Sequence, residues 1–491
     1  MIYNPNCNEA YELMHKGILA FADAEMQGIH IDVDYIQKKN IALARKIIRL
    51  ENQFKETSFY REWEKSQSTK VNIYSSDQLG NFLYNVKKIK PLKFTSGGKK
   101  GINKKGSTDE EALQKLNLPE LSFYEEHKKV KKSLDVLSGF EREQVNEYMH
   151  PFFNLHLART FRSSSSQVNF QNIPIRDKEM QEICRTAIIP RPGHQLLEGD
   201  YGQLEVRISA CYNNDKKLIY DILHGDMHSD MAKEIFMLDK IDKKIEGQAT
   251  LRQAAKNGFI FPEFYGDYYK NCAANIADWA KLPQGKWKYG QGIIINEIGK
   301  PFKPYYVSDH LIGKGIKEYG TISKWSSSNG KSSTEATGFI KHIKDIEDKF
   351  WNERYFEYKQ WKDDFYQEYL KCGYVDLYTG FRCSGVMSFN DVVNYPVQGA
   401  AFHCLLWSFI EMSKFIKEND LDSRIIGQIH DSILIDTHPD ELEMVAKKLV
   451  EISTVKLLEE WKWINLPLEI EIAICPVDEP WLKKEKYKLA A

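Results

Sequence analysis

No Cys-x-x-Cys pair occurs among the eight cysteines, Cys7, Cys184, Cys211, Cys272, Cys372, Cys383, Cys404 and Cys475. Their scatter excludes a disulfide framework and a zinc site of ordinary spacing, and predicts reduced, mostly buried thiols. No apolar run approaches the roughly 18 residues that would cross a bilayer. The first ten residues lack the basic-then-apolar pattern of a leader. A cytosolic protein with no membrane partner is expected. An excess of charge of one sign is also missing: 68 basic residues stand against 69 acidic ones, a net charge of -1. The overall balance therefore gives no support to a polyanionic partner, and any such partner must be read from local clusters. There is no internal repeat.

What is present is globular in kind. The 491 residues are 42% hydrophobic and 28% charged, enough for a sizeable core and about three domains. Lysines cluster twice. Gly97-Gly98-Lys99-Lys100-Gly101 with Lys104 and Lys105 reads as a mobile basic loop, and Lys128, Lys129, Lys131 and Lys132 form a second group. Both suit phosphate contacts, although a solvated face has the same composition.

Along the chain, residues 8–50 have helical periodicity, broken by a short extended piece at Gly28–Asp32. Ser75-Ser76-Asp77 and Ser107-Thr108-Asp109 are helix-start signals, and 122–148 is helical again. Ile188, Leu196 and Leu197 lead into a strand that ends at Asp200, followed by Leu204, Ile208 and Cys211 at helical spacing. Residues 226–280 are expected as helix. Residues 281–335, rich in Gly, Ser, Tyr and Trp, read as an inserted segment with its own small structure or as a long loop. Helix is expected over 338–372 and 394–418, strand and turn over 374–386, a hairpin over 424–436 and helix over 440–460.

Two carboxylates stand out. Asp200 ends an apolar strand in Gly199-Asp200-Tyr201-Gly202-Gln203-Leu204-Glu205-Val206-Arg207. Asp431 sits where a tight turn should join two apolar strands, in Ile425–Ile435. A charge between β-branched neighbours is costly unless exposed or paired with a cation. Two of them at adjacent strand ends would suit Mg²⁺, which takes its remaining ligands from phosphates and water. A pair of ordinary turn aspartates is the plain alternative. Arg252 and Lys256, four residues apart, share a helix face and precede Phe259, Phe261, Phe264 and Tyr265. Cations beside rings suit a triphosphate with a stacked base; an amphipathic helix with solvated charges has the same pattern.

With these residues in view, the chain resembles the family A DNA polymerases, the bacterial DNA polymerase I type, from about residue 8 to about 485. Asp200–Arg207 is similar to motif A, Arg252, Lys256, Tyr265 and Gly266 to motif B, and Gln428-Ile429-His430-Asp431 to motif C. Arg162 with Ser163–Ser165 and Asn169-Phe170-Gln171-Asn172-Ile173-Pro174 resembles the primer-template segment. Asn394-Tyr395-Pro396-Val397-Gln398-Gly399 resembles the helix that touches the template. Asn72–Leu79 and Ser107-Thr108-Asp109 resemble the thumb. Six signatures in order are far more specific than any one.

The resemblance implies an α+β right-hand fold, with an antiparallel palm sheet and helical fingers and thumb. The implied divisions are a palm entry segment at 1–40, thumb at 41–150, palm at 151–225, fingers at 226–375 with the insertion at about 281–335 where fingers meet palm, and palm again at 376–491. It implies a template-directed DNA polymerase that adds dNTPs to a primer 3′ end in DNA replication and releases pyrophosphate. Asp200, Asp431 and the Tyr201 carbonyl would hold two Mg²⁺ ions, with Mn²⁺ as a substitute, and Lys256 would act with the aspartates in catalysis. Gln203, Glu205, His228, Arg252, Lys256, Phe261 and Tyr265 would bind the dNTP, with Glu205 blocking a ribose 2′-hydroxyl. Arg162, Asn169, Gln171, Asn172, Asn394, Gln398 and His430 would contact primer-template DNA. The implied protein is a monomer in the cytoplasm, the host's if phage-encoded, as the Lys, Asn and Ile richness hints. The family's 3′-5′ exonuclease is expected to be absent, with proofreading left to a separate exonuclease or replisome protein.

Three positions depart from the pattern. Ser432 stands where the family has Glu after His-Asp, and Gly202 where it has Ser. Tyr265 follows Lys256 by nine residues instead of eight, which would turn its side chain by about 100° on a regular helix. With Gly258 and Pro262 nearby, a π-bulge or kink between them is expected to restore Tyr265 to the nucleotide side, with Phe261 rather than Ile260 one turn before it. Competing readings are a single-subunit RNA polymerase, disfavoured by Glu205 and Gln171–Pro174, a repair or lesion-bypass polymerase of the same family, and an inert DNA-binding protein.

Overall fold

The computed structural model describes residues 7–91, 93–95, 105–109, 112–113, 116, 118–174, 177–296, 303–326 and 332–489. Most of the expected basic loop at 97–104 lies outside them. The chain starts with α1 (Cys7–Gln27) and α2 (Val33–Glu56), separated at Gly28 by the short strand Ile29–His30. The Asp32 carboxylate caps α2 by accepting the Tyr35 N–H at 2.8 Å. Helix α2 packs along α3 (Pro119–Glu143). Ile36, Leu43, Ile47 and Leu50 face Val130, Leu137 and Phe140 at the three-to-four spacing of a helix stripe. Past α2 the chain builds a second, separate core from Phe54, Phe59, Trp63, Phe82, Leu121 and Tyr124. Trp63 and Phe82 stack there with centroids 5.8 Å apart.

At the centre is a five-stranded sheet. Its strands are β1 (Gln195–Tyr201), β2 (Arg424–Ile429), β3 (Ser432–Thr437), β4 (Ile470–Ile474) and β5 (Glu485–Lys486), in the order β2-β3-β1-β4-β5. Every neighbouring pair is antiparallel. The expected hairpin at 424–436 is β2–β3, and its two-residue turn is His430-Asp431.

Helix α4 (Leu204–Asn213) leaves β1 directly. The helix expected over 226–280 is broken at its caps into α5 (Met227–Phe236), α6 (Glu246–Ala255) and α7 (Tyr269–Trp279), with a short piece, Phe261–Phe264, between the last two. Asp226 caps α5, and Met237 in the left-handed region ends it. The helix over 338–372 is likewise α8 (Gly338–Lys349) and α9 (Phe356–Cys372), joined by a π-helical turn at Phe350–Arg354.

Helix α10 (Phe389–Glu418) is apolar on all sides and mostly buried, as expected of a helix running through the core. Helix α11 (Leu442–Glu451) packs under the sheet. A Cβ on Gly199 would lie 2.5 Å from Leu449 Cδ2, so this strand position must be glycine for α11 to sit so close.

The inserted segment has its own structure. Residues 285–288 pair with 317–319, 293–295 with 305–307, and a short helix, Val307–Gly313, and a hairpin, Ile322–Ser326 with Ser332–Ala336, complete it. Among the described residues its hydrogen bonds and packing run to α5, α6, α7 and α8. It therefore sits within the expected fingers rather than where fingers meet palm, because its apolar side chains Trp287, Ile295, Val307 and Leu311 are buried against those helices. All eight cysteines are free, and six are buried. No helix among the described residues is long and apolar enough to cross a membrane.

Candidate active site

The sheet register brings the two aspartates together. Asp200 lies opposite Ser432 on β3 and Glu471 on β4. The turn that carries Asp431 is bonded to the end of β1, where Tyr201 N–H donates to the Asp431 carbonyl at 3.0 Å. His430 takes φ +50° in that turn, which lets two strands reverse over two residues. Neither aspartate side chain has an ion-pair or hydrogen-bond partner among the described residues. The Asp200 side chain is exposed, yet the protein around it, with Glu198 and Asp431 nearby, pushes its carboxyl up to about 6. Burial also raises Asp431, against the pull of Arg162 and His430. Two carboxylates that resist ionising together form a place where a cation would be held.

No group of three or more His, Cys, Asp or Glu suited to a metal exists among the described residues. The pair thus fits a hard cation that completes its shell from phosphate and water, not a closed protein cage. Ser432 does not reach toward such an ion: it is buried, and its hydroxyl donates to the Ile429 carbonyl at 2.9 Å. Gly202 meets nothing closer than 3.5 Å around a notional Cβ, so a small side chain would fit there.

Across the cleft, α6 ends in the extra residue foreseen from the Lys256–Tyr265 spacing. Lys256–Ile260 is a π-helical turn, in which Phe261 N–H reaches back to the Lys256 carbonyl. It absorbs one residue without breaking the helix, buries Phe259 and Ile260, and leaves Phe261 and Tyr265 on the cleft. Arg252 donates to Asp226 at 2.8 Å and to the Ser229 hydroxyl at 3.1 Å. Burial alone would raise Asp226, but hydrogen bonds from Arg252, Lys243 and Ser229 hold it far below the usual carboxylate range.

Lys256 has no anionic partner among the described residues. Its ammonium lies 5.2 Å from the Phe261 ring centroid, and burial and Arg252 lower its proton affinity. His228 is buried beside it with both ring nitrogens unpartnered, and burial with Lys256 and Arg252 pushes it down to about 4. Lys256, with the neutral and unpartnered His228 beside it, thus forms a cationic corner with an Arg252 already paired to Asp226.

Between the two walls lies a cavity of about 350 Å³. Arg162, Gln171, Gln203, Glu205, Phe261, Tyr265, Asn394, Gln398, His430 and Asp431 all line it. Glu205 pairs with Arg162 and accepts from the Tyr265 hydroxyl. Asn394 donates to the Tyr265 carbonyl at 3.0 Å, tying the end of motif B to α10. A second cleft, of about 690 Å³, runs from Gln171, Asn172 and His430 to Lys128, Lys129 and Lys132 on α3. Lys129 there also pairs with Asp177 at 2.9 Å. Asn169 lines neither cavity; its side chain accepts from the Ser165 hydroxyl at 3.0 Å and braces the loop.

Two residues that the sequence placed within motifs have supporting roles it did not assign. Gln428 is buried and accepts from Ser163 at 2.8 Å and Gln171 at 2.5 Å. It joins the motif C hairpin to the primer-template segment. A lone amide inside an apolar strand was the available signal. Arg207, also buried, donates to the Gly202 and Pro467 carbonyls at 3.1 and 2.7 Å and pairs with Glu469 at 2.7 Å. It locks the motif A turn, and no local pattern announces partners some 260 residues away.

A family model described as DNA polymerase family A matches residues 34–278 and 341–479, leaving 279–340 between the matched stretches. DNA polymerase I of Caldicellulosiruptor bescii is 26% identical over 482 residues, covering 95% of this chain and 47% of the relative. The DNA polymerase of Bacillus phage SP01 is 22% identical over 501 residues, covering 90% and 47%. The chain thus spans about half the length of these relatives. Among solved structures, the POL domain of Pol1 from M. smegmatis, in complex with DNA primer-template and dNTP, matches with a TM-score of 0.69 at 20% identity, over 95% of this chain and 70% of that one.

Proposed function

This chain belongs to DNA polymerase family A, and from that premise we propose that it is a template-directed DNA polymerase extending a primer 3′ end with dNTPs and releasing pyrophosphate. The observation that carries the reading is an aspartate pair, Asp200 and Asp431, and a half-buried ammonium, Lys256, none with an ion-pair partner among the described residues, beside the cavity that Asp431 and Phe261 line. A dNTP with divalent cations supplies what both walls lack: negative oxygens for the corner and positive charge for the pair.

Asp200, Asp431 and the Tyr201 carbonyl would hold two Mg²⁺ ions. Bound there, the ions would supply the positive charge that phosphoryl transfer needs. The protein's own part is positioning. Lys256 and His228 take the phosphates, and Arg252, with Nε and one Nη2 hydrogen engaged by Ser229 and Asp226, has donors left for them. Phe261 and Tyr265 stack against the base and sugar with Gln203 beside them. Glu205 fills the space a 2′-hydroxyl would need, so ribonucleotides are rejected. Tyr265 lies on Glu205 in this state and must swing aside as the template base enters. Arg162, Gln171, Asn172, Asn394, Gln398 and His430 line the path of primer and template, and Asn169 supports their loop.

Primer extension on a defined template with Mg²⁺, offering dNTPs or rNTPs, tests the reading. Template-directed dNTP addition by the wild type, abolished in Asp431→Ala, is the expected outcome. A folded wild type that binds primer-template and adds nothing would leave an inert DNA-binding protein.

A further inference from the structure

The segment at 279–340, between the stretches the family model matches, is basic. Nine lysines against four acidic residues give it a net +5 inside a chain of net charge -1. Lys281, Lys286, Lys288, Lys303, Lys314 and Lys317 are exposed, and none makes an ion pair among the described residues. Nor are the module's acids all free to neutralise it, since both Asp309 oxygens accept backbone N–H groups, from Gly290 and Tyr306.

The fold sorts these residues. Trp287 is buried against Phe339 at 5.5 Å between centroids, so Lys286 and Lys288, its neighbours in extended backbone, point the other way. In the paired run Lys286 lies opposite Glu318, and the exposed Lys317 lies opposite Trp287, whose N–H its carbonyl accepts at 2.8 Å. Two exposed rings stand among these cations: Tyr289 is 72% exposed beside Lys288, and Tyr305, edge-on to His310 at 6.1 Å, is 42% exposed two residues from Lys303. Exposed rings among unpaired cations are what an unstacked, anionic strand binds: phosphates take the ammonium groups and bases stack on the rings. A duplex hides its bases and gives the rings no such role.

The module is also fixed to the helix that carries Arg252. Gln248 Nε2 donates to the Ile295 carbonyl at 2.7 Å, and the Ile294 carbonyl lies so close to Gly247 that a Cβ there would be 1.7 Å away. His310 Nε2 bonds the Met237 carbonyl at 2.9 Å.

We propose that the 279–340 module is a single-stranded DNA platform built onto the fingers, which moves as one piece with helix α6. The choice of DNA rests on the polymerase reading, but binding is measured without catalysis, so the two stand or fall separately. Labelled oligo-thymidylate and a blunt duplex are titrated by anisotropy between about 50 and 200 mM salt. The proteins are the wild type, a Lys286→Gln/Lys288→Gln/Lys317→Gln variant and Tyr289→Ala. The triple variant should bind the single strand about tenfold more weakly, with a salt slope shallower by about 2. Tyr289→Ala should lose about fivefold or more with its slope kept. Duplex binding, melting temperature and single-nucleotide addition on a one-base overhang should not change. Unchanged single-strand affinity in the triple variant would overturn the proposal and leave the patch to an acidic protein partner. An equal loss for duplex and single strand would overturn it in favour of general electrostatic attraction.

Discussion

The aspartate wall and the cationic wall of the cleft are built by opposite means. Asp200 and Asp431 are placed by backbone: a strand end, a two-residue turn and the Tyr201–Asp431 bond hold them whatever their side chains do. Arg252, Lys256 and His228 are placed by one face of α6 and the start of α5, around a π-helical turn, and their charges are engaged only by Asp226 or not at all. The first wall is a fixed anvil. The second is poised, with electrostatic strain that a ligand relieves. Preorganised charge of the first kind costs nothing at the moment of reaction, whereas the second kind couples binding to movement.

The comparison can be broken most sharply on the fixed side. Asp431→Ala should lower the rate of nucleotide addition by about a thousandfold or more with primer-template affinity kept, as seen in single-turnover extension. Lys256→Ala should cost about a hundredfold in kcat/KM for dNTP, because one phosphate contact goes while the turn stays. Steady-state kinetics against dNTP concentration reads this, and a loss as deep as that of Asp431→Ala would erase the distinction.

Beneath the poised wall, Glu263 is buried and accepts from Trp351 Nε1 at 2.8 Å and Cys272 Sγ at 3.3 Å. Burial, reinforced by Glu347, raises its proton affinity above the ordinary 4.5. The folded state therefore keeps a proton that the unfolded chain has released, and stability contributed by this group falls as pH rises above 4.5 toward the raised value. Glu263→Gln should flatten that slope, by up to about 1.4 kcal/mol per pH unit, in chemical denaturation between about pH 5 and pH 8. The smallest effect should come from deleting the exposed Asn257. Losing one residue from the π-helical turn should restore a plain α-helix with Tyr265 still on the cleft, at a stability cost of about 1 kcal/mol or less. Thermal unfolding and the KM for dNTP check it.

The anvil was the more legible of the two from sequence. Asp200 and Asp431 announce themselves because a charge at the end of an apolar strand breaks a local pattern, whereas the antiparallel α+β arrangement came from the family resemblance. The spacing from Lys256 to Tyr265, with Gly258 and Pro262, was enough to place an irregularity in the helix. What lay hidden was pairing at long range. Gln428 with Ser163, Arg207 with Pro467 and Glu469, and Arg252 with Asp226 depend on contacts that no window of sequence contains. The burial of His228 with both nitrogens bare depends on packing of α5 against α6, which periodicity does not fix. Composition pointed to the inserted segment at 281–335 but not to its footing, because the contacts of Gly247 and Gln248 are backbone approaches that only the folded chain makes.

The separate aromatic core around Trp63 and Phe82 has a consequence for how the molecule opens. Phe54, Phe59 and Tyr124 pack with each other and not with the core that holds the sheet, so the region has its own store of buried apolar area and only helices α2 and α3 to transmit strain. Such a region should melt and re-form as a cooperative unit at lower free energy than the rest. Amide hydrogens at 58–86 should then exchange through this local opening while those of β1 and β3 wait for global unfolding, so that the arm nearest the lysines of α3 breathes against a body that does not.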